Sequence, residues 1–216
     1  GAGSLGSGSY RMKLGATGGN KSFLGGPNAF NGQRLADLNT LNYSFYVVDP
    51  GVPASTAATH LAPVLNVSVD LYNDGSVLRT LVYEPCYADP LNCSVNYRDN
   101  TWRVADAMTG AGWWYTGATI GSVAQYQTLS YYLSQFPDAV VRDPNPGFDW
   151  SGIQLVAGQN SAGGPWNEYF EAHVDGVSIG FGSTSDTFDF EPGDLAAPRF
   201  WIEEQTSSVE LEWESV

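Results

Sequence analysis

Apolar and polar residues alternate one by one along much of the chain, and this alternation restricts the fold more than any other feature. In the segment LNYSFYVV one set of positions holds Leu41, Tyr43, Phe45 and Val47, and the other holds Asn42, Ser44 and Tyr46. In VLNVSVDLY the same period separates Leu65, Val67, Val69 and Leu71 from Asn66, Ser68 and Asp70. Successive side chains of a strand point to opposite faces of its sheet, so the period of two predicts half-buried β-strands.

The alternating runs are short and are separated by Gly- and Pro-rich segments such as GATGGN, DPGVP and GQNSAGGPW. Asp74-Gly75 stands between two such runs and is a strong hairpin signal, since tight β-turns need positive φ. Further strands are predicted at Tyr10–Leu14, Thr101–Ala105, Ala139–Arg142, Gly152–Ala157, Glu171–Ile179 and Thr184–Phe190. Many short strands with such turns predict an all-β fold, an antiparallel jelly-roll-like β-sandwich.

One segment has helical instead of strand periodicity. Val123, Tyr126, Leu129, Tyr132 and Leu133 form an apolar stripe with a spacing of three or four residues. The preceding Ser122 and the following Gln125 resemble a capping box, and Pro137 ends the pattern. We therefore expect one short amphipathic helix over residues 123–136, packed against an edge or end of a sheet.

The chain divides into a sandwich domain at 1–192 and a C-terminal segment at 193–216, interpreted as a linker followed by a strand extension. Near the end Val209, Leu211 and Trp213 alternate with glutamates, which gives a strand with one apolar and one acidic face. Such a strand has to cover its apolar face. Two options stay open, packing on the chain's own sandwich or pairing with the sheet of a neighbouring subunit.

The charge balance argues against several partners. The formal net charge is −14, with nine Lys and Arg against 23 Asp and Glu, and there is no basic cluster. Nucleic-acid binding needs such clusters to displace counterions, so we expect no nucleic-acid partner. No run of 18 apolar residues occurs, so we expect no membrane span. The chain lacks an N-terminal signal peptide and initiator Met, and we expect a mature or excised form of a larger protein.

Cysteines and sequons both favour an extracellular or cell-surface location. Cys86 and Cys93 are the two cysteines and are seven residues apart across a Pro-containing turn, a spacing that fits a disulfide. Candidate N-glycosylation sites occur at Asn20, Asn42, Asn66 and Asn92. Asn42 and Asn66 fall on the polar sides of their strands, where a glycan would be tolerated.

Several segments, taken in order, resemble a family of uncharacterised secreted bacterial β-sandwich domains. They are LNYSFYV, PVLNVSVDLYNDGSVLRTLVYEP, TWRVADAMTGAGWWYTG, YLSQFPDA, GIQLVAG and HVDGVSIGFGSTSDTFDFE. The resemblance covers roughly residues 1–192. It implies a jelly roll similar to concanavalin A-like domains and carbohydrate-binding modules, in an extracellular setting. It supplies no catalytic residues.

Enzymatic motifs are weak. His60 and His173 are the two histidines, and no nucleophile elbow or metalloprotease motif accompanies either. Glu168 and Glu171 do not form the alternating acidic motif of a jelly-roll glycosidase. We expect a protein that is not an enzyme, with a glycan-active hydrolase or lyase as the more remote alternative.

Two kinds of binding site are compatible with the composition. Asp70, Asn73 and Asp74 offer oxygen ligands for Ca²⁺ at the hairpin turn, although the turn needs an Asp-Gly pair in any case. No other cofactor is expected. Aromatic residues in two Gly-rich segments predict sugar stacking, and they are Trp113, Trp114, Tyr115, Trp166 and Tyr169. The alternative for Trp113 and Trp114 is a core role, since adjacent strand residues point in opposite directions.

Two functions follow from these observations. The first is a non-catalytic extracellular structural or interaction protein, joined through strand pairing to copies of itself or to other surface proteins in a filament or surface layer. The second is a lectin-like carbohydrate-binding module that contacts a polysaccharide through loop aromatics. The lack of motifs for chemistry supports both, and the alternating tail favours the first.

Overall fold

The strands predicted from the alternation are present and account for most of the fold. A computed structural model describes residues 6–14, 21–25, 30–49, 51, 59–88, 93–142, 152–158, 170–191 and 201–203, the last for its backbone only. Within these residues the strands are β1 Tyr10–Lys13, β2 Lys21–Gly25, β3 Leu38–Val47, β4 Val64–Asp70, β5 Leu78–Tyr83, β6 Arg103–Asp106, β7 Trp113–Tyr115, β8 Val140–Val141, β9 Ile153–Gly158, β10 Glu171–Phe181, β11 Thr184–Phe188 and β12 Trp201–Glu203. The helices are α1 Pro85–Ala88 and α2 Leu129–Gln135, with a 3-10 turn at Leu35–Asp37.

The strands form two antiparallel sheets. The five-stranded sheet has the order β1-β10-β3-β6, with β11 paired to β10 beside β1. The seven-stranded sheet has the order β12-β2-β9-β4-β5-β7, with β8 paired to β4 beside β9. The chain alternates between the sheets, so that β1-β10-β3-β6 and β2-β9-β4-β5 form the eight-stranded jelly-roll pattern. This confirms the predicted β-sandwich.

The core lies between the sheets and contains alternating positions of the central strands. Tyr43, Phe45 and Val47 of β3 are buried there, as are Leu65 and Val67 of β4. Large aromatic side chains dominate its centre, and Trp113, Tyr43, Tyr83, Tyr132, Phe45 and Phe170 are among the largest fully buried ones. Burial of such side chains is the main favourable term in folding, so the sandwich depends on this layer.

The polar atoms of these aromatic residues are bonded to backbone carbonyls. The Trp113 indole Nε1 donates to the Ala107 carbonyl at 2.7 Å, and the Tyr83 hydroxyl donates to the Asp106 carbonyl at 3.1 Å. The Tyr132 hydroxyl donates to the carbonyls of Trp113 and Ala124, at 3.2 and 3.0 Å. These bonds remove the desolvation cost of burying a donor and attach the connecting segments to the core.

The structure contains the predicted short helix but shortens it at its start. Helix α2 begins at Leu129 instead of near Val123, and Thr128 is its N-cap, with its hydroxyl accepting from the Tyr131 amide at 3.2 Å. Tyr126 has a φ of 56°, and Gln127 forms a bridge with Trp113, so both are unavailable to a helix. Part of the apolar stripe with helical spacing therefore lies in a loop that runs beside the edge strand β7.

The two cysteines form the predicted disulfide, and it closes the segment after β5. Cys86 lies in α1 and is bonded to Cys93, seven residues later. Cys86 is buried and Cys93 packs on the core.

No helix within the described part of the chain has the length and apolar character needed to cross a bilayer.

Replacing Trp113 by Ala tests the central role of this side chain. We expect a loss of about 3–5 kcal/mol in the free energy of unfolding, because a large cavity opens and the Ala107 carbonyl loses its donor. Trp114→Ala is the matched control, since its side chain points away from the core, and should cost less, about 1–2 kcal/mol, mostly from the lost hydrogen bond to Glu84. Urea unfolding of both variants provides the measurement. Equal losses would contradict the assignment of Trp113 to the core.

Removing the disulfide by Cys86→Ser with Cys93→Ser should lower the free energy of unfolding by about 2–3 kcal/mol. The cross-link closes a short loop, and in the chain-entropy model a short loop gives less stabilisation than a long one. Thermal unfolding with and without reductant checks this. The double variant should no longer respond to reductant, whereas the wild-type chain should.

Candidate functional site

The predicted sugar-binding aromatics of AGWWYTG separate into two environments. Trp113 and Tyr115 of β7 are 0% and 3% exposed and belong to the core, so they cannot stack on a sugar. This corrects their assignment as glycan contacts and follows from the alternation of strand side chains. Trp114 points to the outer face and is half-buried. Trp166 and Tyr169 lie outside the described residues, and their role stays a prediction.

Trp114 is held by a partly buried carboxyl group. Its indole Nε1 donates to Glu84 Oε1 at 2.9 Å. Burial raises the pKa of Glu84, and the hydrogen bond from Trp114 only partly offsets this shift. Glu84 also lines a cavity of about 10 Å³ with His60 and Cys86, which holds no more than a single water. Glu84 therefore positions Trp114, and the cavity that it lines is too small for a sugar.

A second group of rings lies on the outer face of the five-stranded sheet. Tyr46 of β3 is flanked by Trp102, which precedes β6, and by His173 of β10, with ring centroids 5.7 and 5.9 Å away. The strands β6, β3 and β10 are direct neighbours, so the rings cross the sheet in one line. All three side chains are partly buried, and 12% of the His173 side chain is exposed. We call Trp102, Tyr46 and His173 the aromatic row.

Sequence reasoning missed the aromatic row, although a signal was present. Tyr46 shares a face with Asn42 and Ser44, the polar side of its strand. A large ring among polar neighbours lies on the face opposite to the core residues, which indicates a role at the surface. The partner rings Trp102 and His173 lie in distant segments, and only the pairing of β3 with β6 and β10 brings them together.

Polar and charged groups continue the aromatic row toward β1. The Ser9 hydroxyl is 2.9 Å from His173 Nδ1, and Arg11 Nε donates to Glu171 Oε1 at 2.9 Å. Ser9, His173 and Glu171 have the composition of a hydrolase triad but not its geometry. His173 Nε2 is 4.0 Å from Glu171 Oε1, beyond hydrogen-bond distance, and that oxygen is bonded to Arg11. These contacts orient the imidazole ring at one end of the aromatic row.

In the turn predicted to bind calcium, the carboxylates accept hydrogen bonds from amides of the turn itself. The β4–β5 hairpin is present, and the buried Asp70 accepts from the Tyr72 and Gly75 amides at 3.3 and 2.7 Å. Asp74 Oδ1 accepts from the Ser76 amide at 2.8 Å, and Asn73 has a φ of 55°. No group of three or more metal-binding side chains occurs in the described segments. The turn is explained by its own hydrogen bonds, and bound calcium stays a prediction.

The described sequon asparagines lie within the sheets. Asn42 and Asn66 are half-buried on the outer faces of β3 and β4, and Asn66 Oδ1 is a buried atom with no hydrogen-bond partner. Asn20 and Asn92 lie outside the described residues. Glycosylation at all four stays a prediction.

The C-terminal segment contributes one described strand. β12, Trp201–Glu203, pairs with β2 and forms an edge of the seven-stranded sheet. The first strand of the tail therefore pairs within the chain. Val209, Leu211 and Trp213, the predicted assembly strand, lie outside the described residues, and their pairing stays a prediction.

No family model, curated protein or solved structure matches this chain. The resemblance to secreted bacterial sandwich domains therefore stays a prediction.

Replacing Glu84 by Gln should flatten the pH dependence of stability. Because the folded-state pKa of Glu84 is raised, the native state binds more protons than the unfolded state above the usual glutamate pKa. Stability from this group is full below about pH 4 and falls as pH rises through the folded pKa. Gln retains an acceptor for Trp114 and carries no charge. The variant should lose less stability than wild type between about pH 4 and pH 7 in thermal unfolding.

Asp99→Asn is a control in which the pH dependence of stability has the opposite sign. The guanidinium of Arg103 lowers the pKa of Asp99, so its contribution is present above the unfolded pKa and is lost as pH falls through the folded one. This variant should lose stability at neutral pH and little in acid. If Glu84→Gln behaved in the same way, the raised pKa of Glu84 would be wrong.

Proposed function

We propose that this protein is a non-catalytic carbohydrate-binding module of an extracellular protein. The observation that carries the proposal is the aromatic row on the outer face of the five-stranded sheet, with rings on three neighbouring strands. The disulfide Cys86–Cys93 supports an oxidising compartment. The proposal revises the sites expected from sequence, since the binding rings lie on a sheet face and not in the β7 segment.

The spacing and chemistry of the aromatic row suit a saccharide chain. Pyranose rings present apolar C–H faces that pack on aromatic rings, and their hydroxyls need hydrogen-bonding partners around the contact. The row supplies rings about one strand spacing apart, and Ser9, Arg11 and Glu171 supply polar groups at one end. A sugar chain lying across β6, β3 and β10 would meet both kinds of contact.

The ring orientations favour a single chain over a flat crystalline surface. Tyr46 is tilted by 48° from Trp102 and by 82° from His173, so the rings do not form one plane. Rings at such different tilts cannot all lie flat against one planar polysaccharide surface. An individual chain can rotate successive sugars to meet each ring, so we infer a soluble polysaccharide or oligosaccharide as the ligand class.

We propose binding without catalysis. The partly buried carboxyl of Glu84 is hydrogen-bonded to Trp114 and lines a cavity far smaller than a sugar. Assembly through strand pairing would depend on Val209, Leu211 and Trp213, while β12 completes the chain's own sheet. Carbohydrate binding therefore has the more direct support.

Ring-deleting variants test the proposal. Trp102→Ala and Tyr46→Ala should each weaken binding to a polysaccharide found by screening at least about fivefold, since each removes an apolar stacking surface. The matched control is Trp114→Ala, a half-buried outward Trp on the other sheet, which should change affinity less than about twofold. Affinity electrophoresis followed by calorimetry measures these changes.

Two results would overturn the proposal. One is a lack of binding across a broad panel of neutral and acidic polysaccharides. The other is loss of binding in Trp114→Ala with none in Trp102→Ala or Tyr46→Ala, which would move the site to the seven-stranded sheet. Circular dichroism of each variant establishes that the fold is retained.

A further inference from the structure

A polar cavity of about 220 Å³ lies on the outer face of the seven-stranded sheet, away from the aromatic row. Its lining includes Ser68, Leu78, Arg79, Thr80, Thr116 and Arg142. Leu78 and Arg142 are exposed, so the cavity opens to solvent. It is smaller than the pockets that enclose drug-sized ligands, which indicates a small molecule or a single chemical group.

Strand register brings the hydroxyl side chains of the cavity together. Ser68 of β4 is paired directly with Thr80 of β5. The Thr116 amide donates to the Thr80 carbonyl at 2.9 Å, and the Thr116 hydroxyl accepts from the Thr80 amide at 3.3 Å. On the other side the Arg142 amide donates to the Ser68 carbonyl at 2.8 Å. Ladder-type backbone bonds thus place Ser68, Thr80, Thr116 and Arg142 side by side on one face of the sheet.

Among the described residues, the arginines of the cavity have no carboxylate partner. Arg79 Nη1 and Nη2 donate to the carbonyls of Leu78 and Ala118 at 2.8 and 3.4 Å, and its Nε is buried without a partner. In the described part of the chain, neither Arg79 nor Arg142 forms a salt bridge, and the cavity lining contains no Asp or Glu.

This arrangement is unusual for the composition of the chain. Only nine Lys and Arg occur beside 23 Asp and Glu, so a carboxylate partner would be easy to supply. Two of the nine cations line one cavity without such a partner. Guanidinium groups and hydroxyls are the donors that bind oxyanions, and Arg binds them with paired N–H groups.

We propose that this cavity is a binding site for a small oxyanion, the sulfate or carboxylate group of a small molecule or sugar. The exposed guanidinium of Arg142 lies on the same face of the sheet as the hydroxyls of Ser68, Thr80 and Thr116, and these groups supply the direct contacts. Arg79 leaves β5 on the opposite face from Thr80 and adds positive charge at the cavity wall. The net charge of −14 repels anions at a distance, so the attraction has to come from the cavity itself. Salt screens that repulsion, and binding should therefore survive at about 0.15 M ionic strength.

The test uses the full chain and inorganic sulfate as the probe. Amide chemical shifts are followed by NMR during titration with sodium sulfate, against sodium chloride at the same ionic strength. We expect saturable shifts at the amides of Ser68, Thr80 and Thr116 with sulfate and none with chloride. Arg142→Gln should weaken the sulfate affinity at least about tenfold, because it removes one of two charges. Lys13→Gln, which removes an exposed charge from the other sheet, should change it less than about twofold.

Two further arms separate the sources of the oxyanion and the two proposed sites. Galacturonate compared with neutral galactose asks whether a carboxylate on a sugar is bound, and sulfate alone asks whether the free anion suffices. Shifts at the cavity with either anion and none with galactose support the proposal. Tyr46→Ala should leave these shifts unchanged, so failure of the aromatic row would not be mistaken for failure of the cavity.

Absence of saturable shifts with both sulfate and galacturonate would overturn the proposal. So would unchanged affinity in Arg142→Gln, or shifts that map to residues away from the cavity. Arg142 is exposed and its backbone amide bond to Ser68 does not require its side chain, so the variant should fold. The retained spectrum outside the cavity checks this directly.

Discussion

The burial of one face of each sheet against the other is the interaction on which the rest of the structure depends. Trp113, Tyr83 and Tyr132 occupy this layer, and each polar tip is bonded to a backbone carbonyl of a connecting segment. The core therefore fixes the segments between strands as well as the strands. Removing a ring would leave both a cavity and an unpaired carbonyl, so packing and hydrogen bonding reinforce each other here.

Once the inner faces are used for the core, recognition is left to the outer faces and edges. The five-stranded sheet carries the aromatic row outward, and the seven-stranded sheet carries the arginine-lined cavity. Both depend on cross-strand neighbours that are far apart along the chain, as in the Ser68–Thr80 pair and the contact of Tyr46 with His173. The two surfaces are chemically different, one apolar with polar flanks and one cationic. A protein with both could recognise a saccharide chain and a separate acidic group.

The late start of α2 has a local physical cause, and the carboxylates of the predicted calcium turn have local partners whether or not calcium binds there. Residues 123–128 have helical spacing, but Tyr126 adopts a positive φ and Gln127 bridges to Trp113, so the edge of β7 competes successfully for this segment. Asp70 and Asp74 resemble cation ligands, but the amides of the β4–β5 turn already bond to them. In both segments, backbone groups of the neighbouring strand or of the turn itself are the bonding partners.

The sequence by itself determined the fold class, most strand positions, the hairpin after β4 and the disulfide, because these depend on a period of two, turn residues and short spacing. It indicated that Trp113 and Trp114 could face opposite ways, and the structure decided that Trp113 is the buried one. Only the tertiary structure decided which outward residues meet. Trp102, Tyr46 and His173 come from three segments, as do Ser68, Thr80 and Arg142, and strand order and register in the jelly roll place them side by side. Such neighbours are set by long-range pairing, which no local pattern encodes.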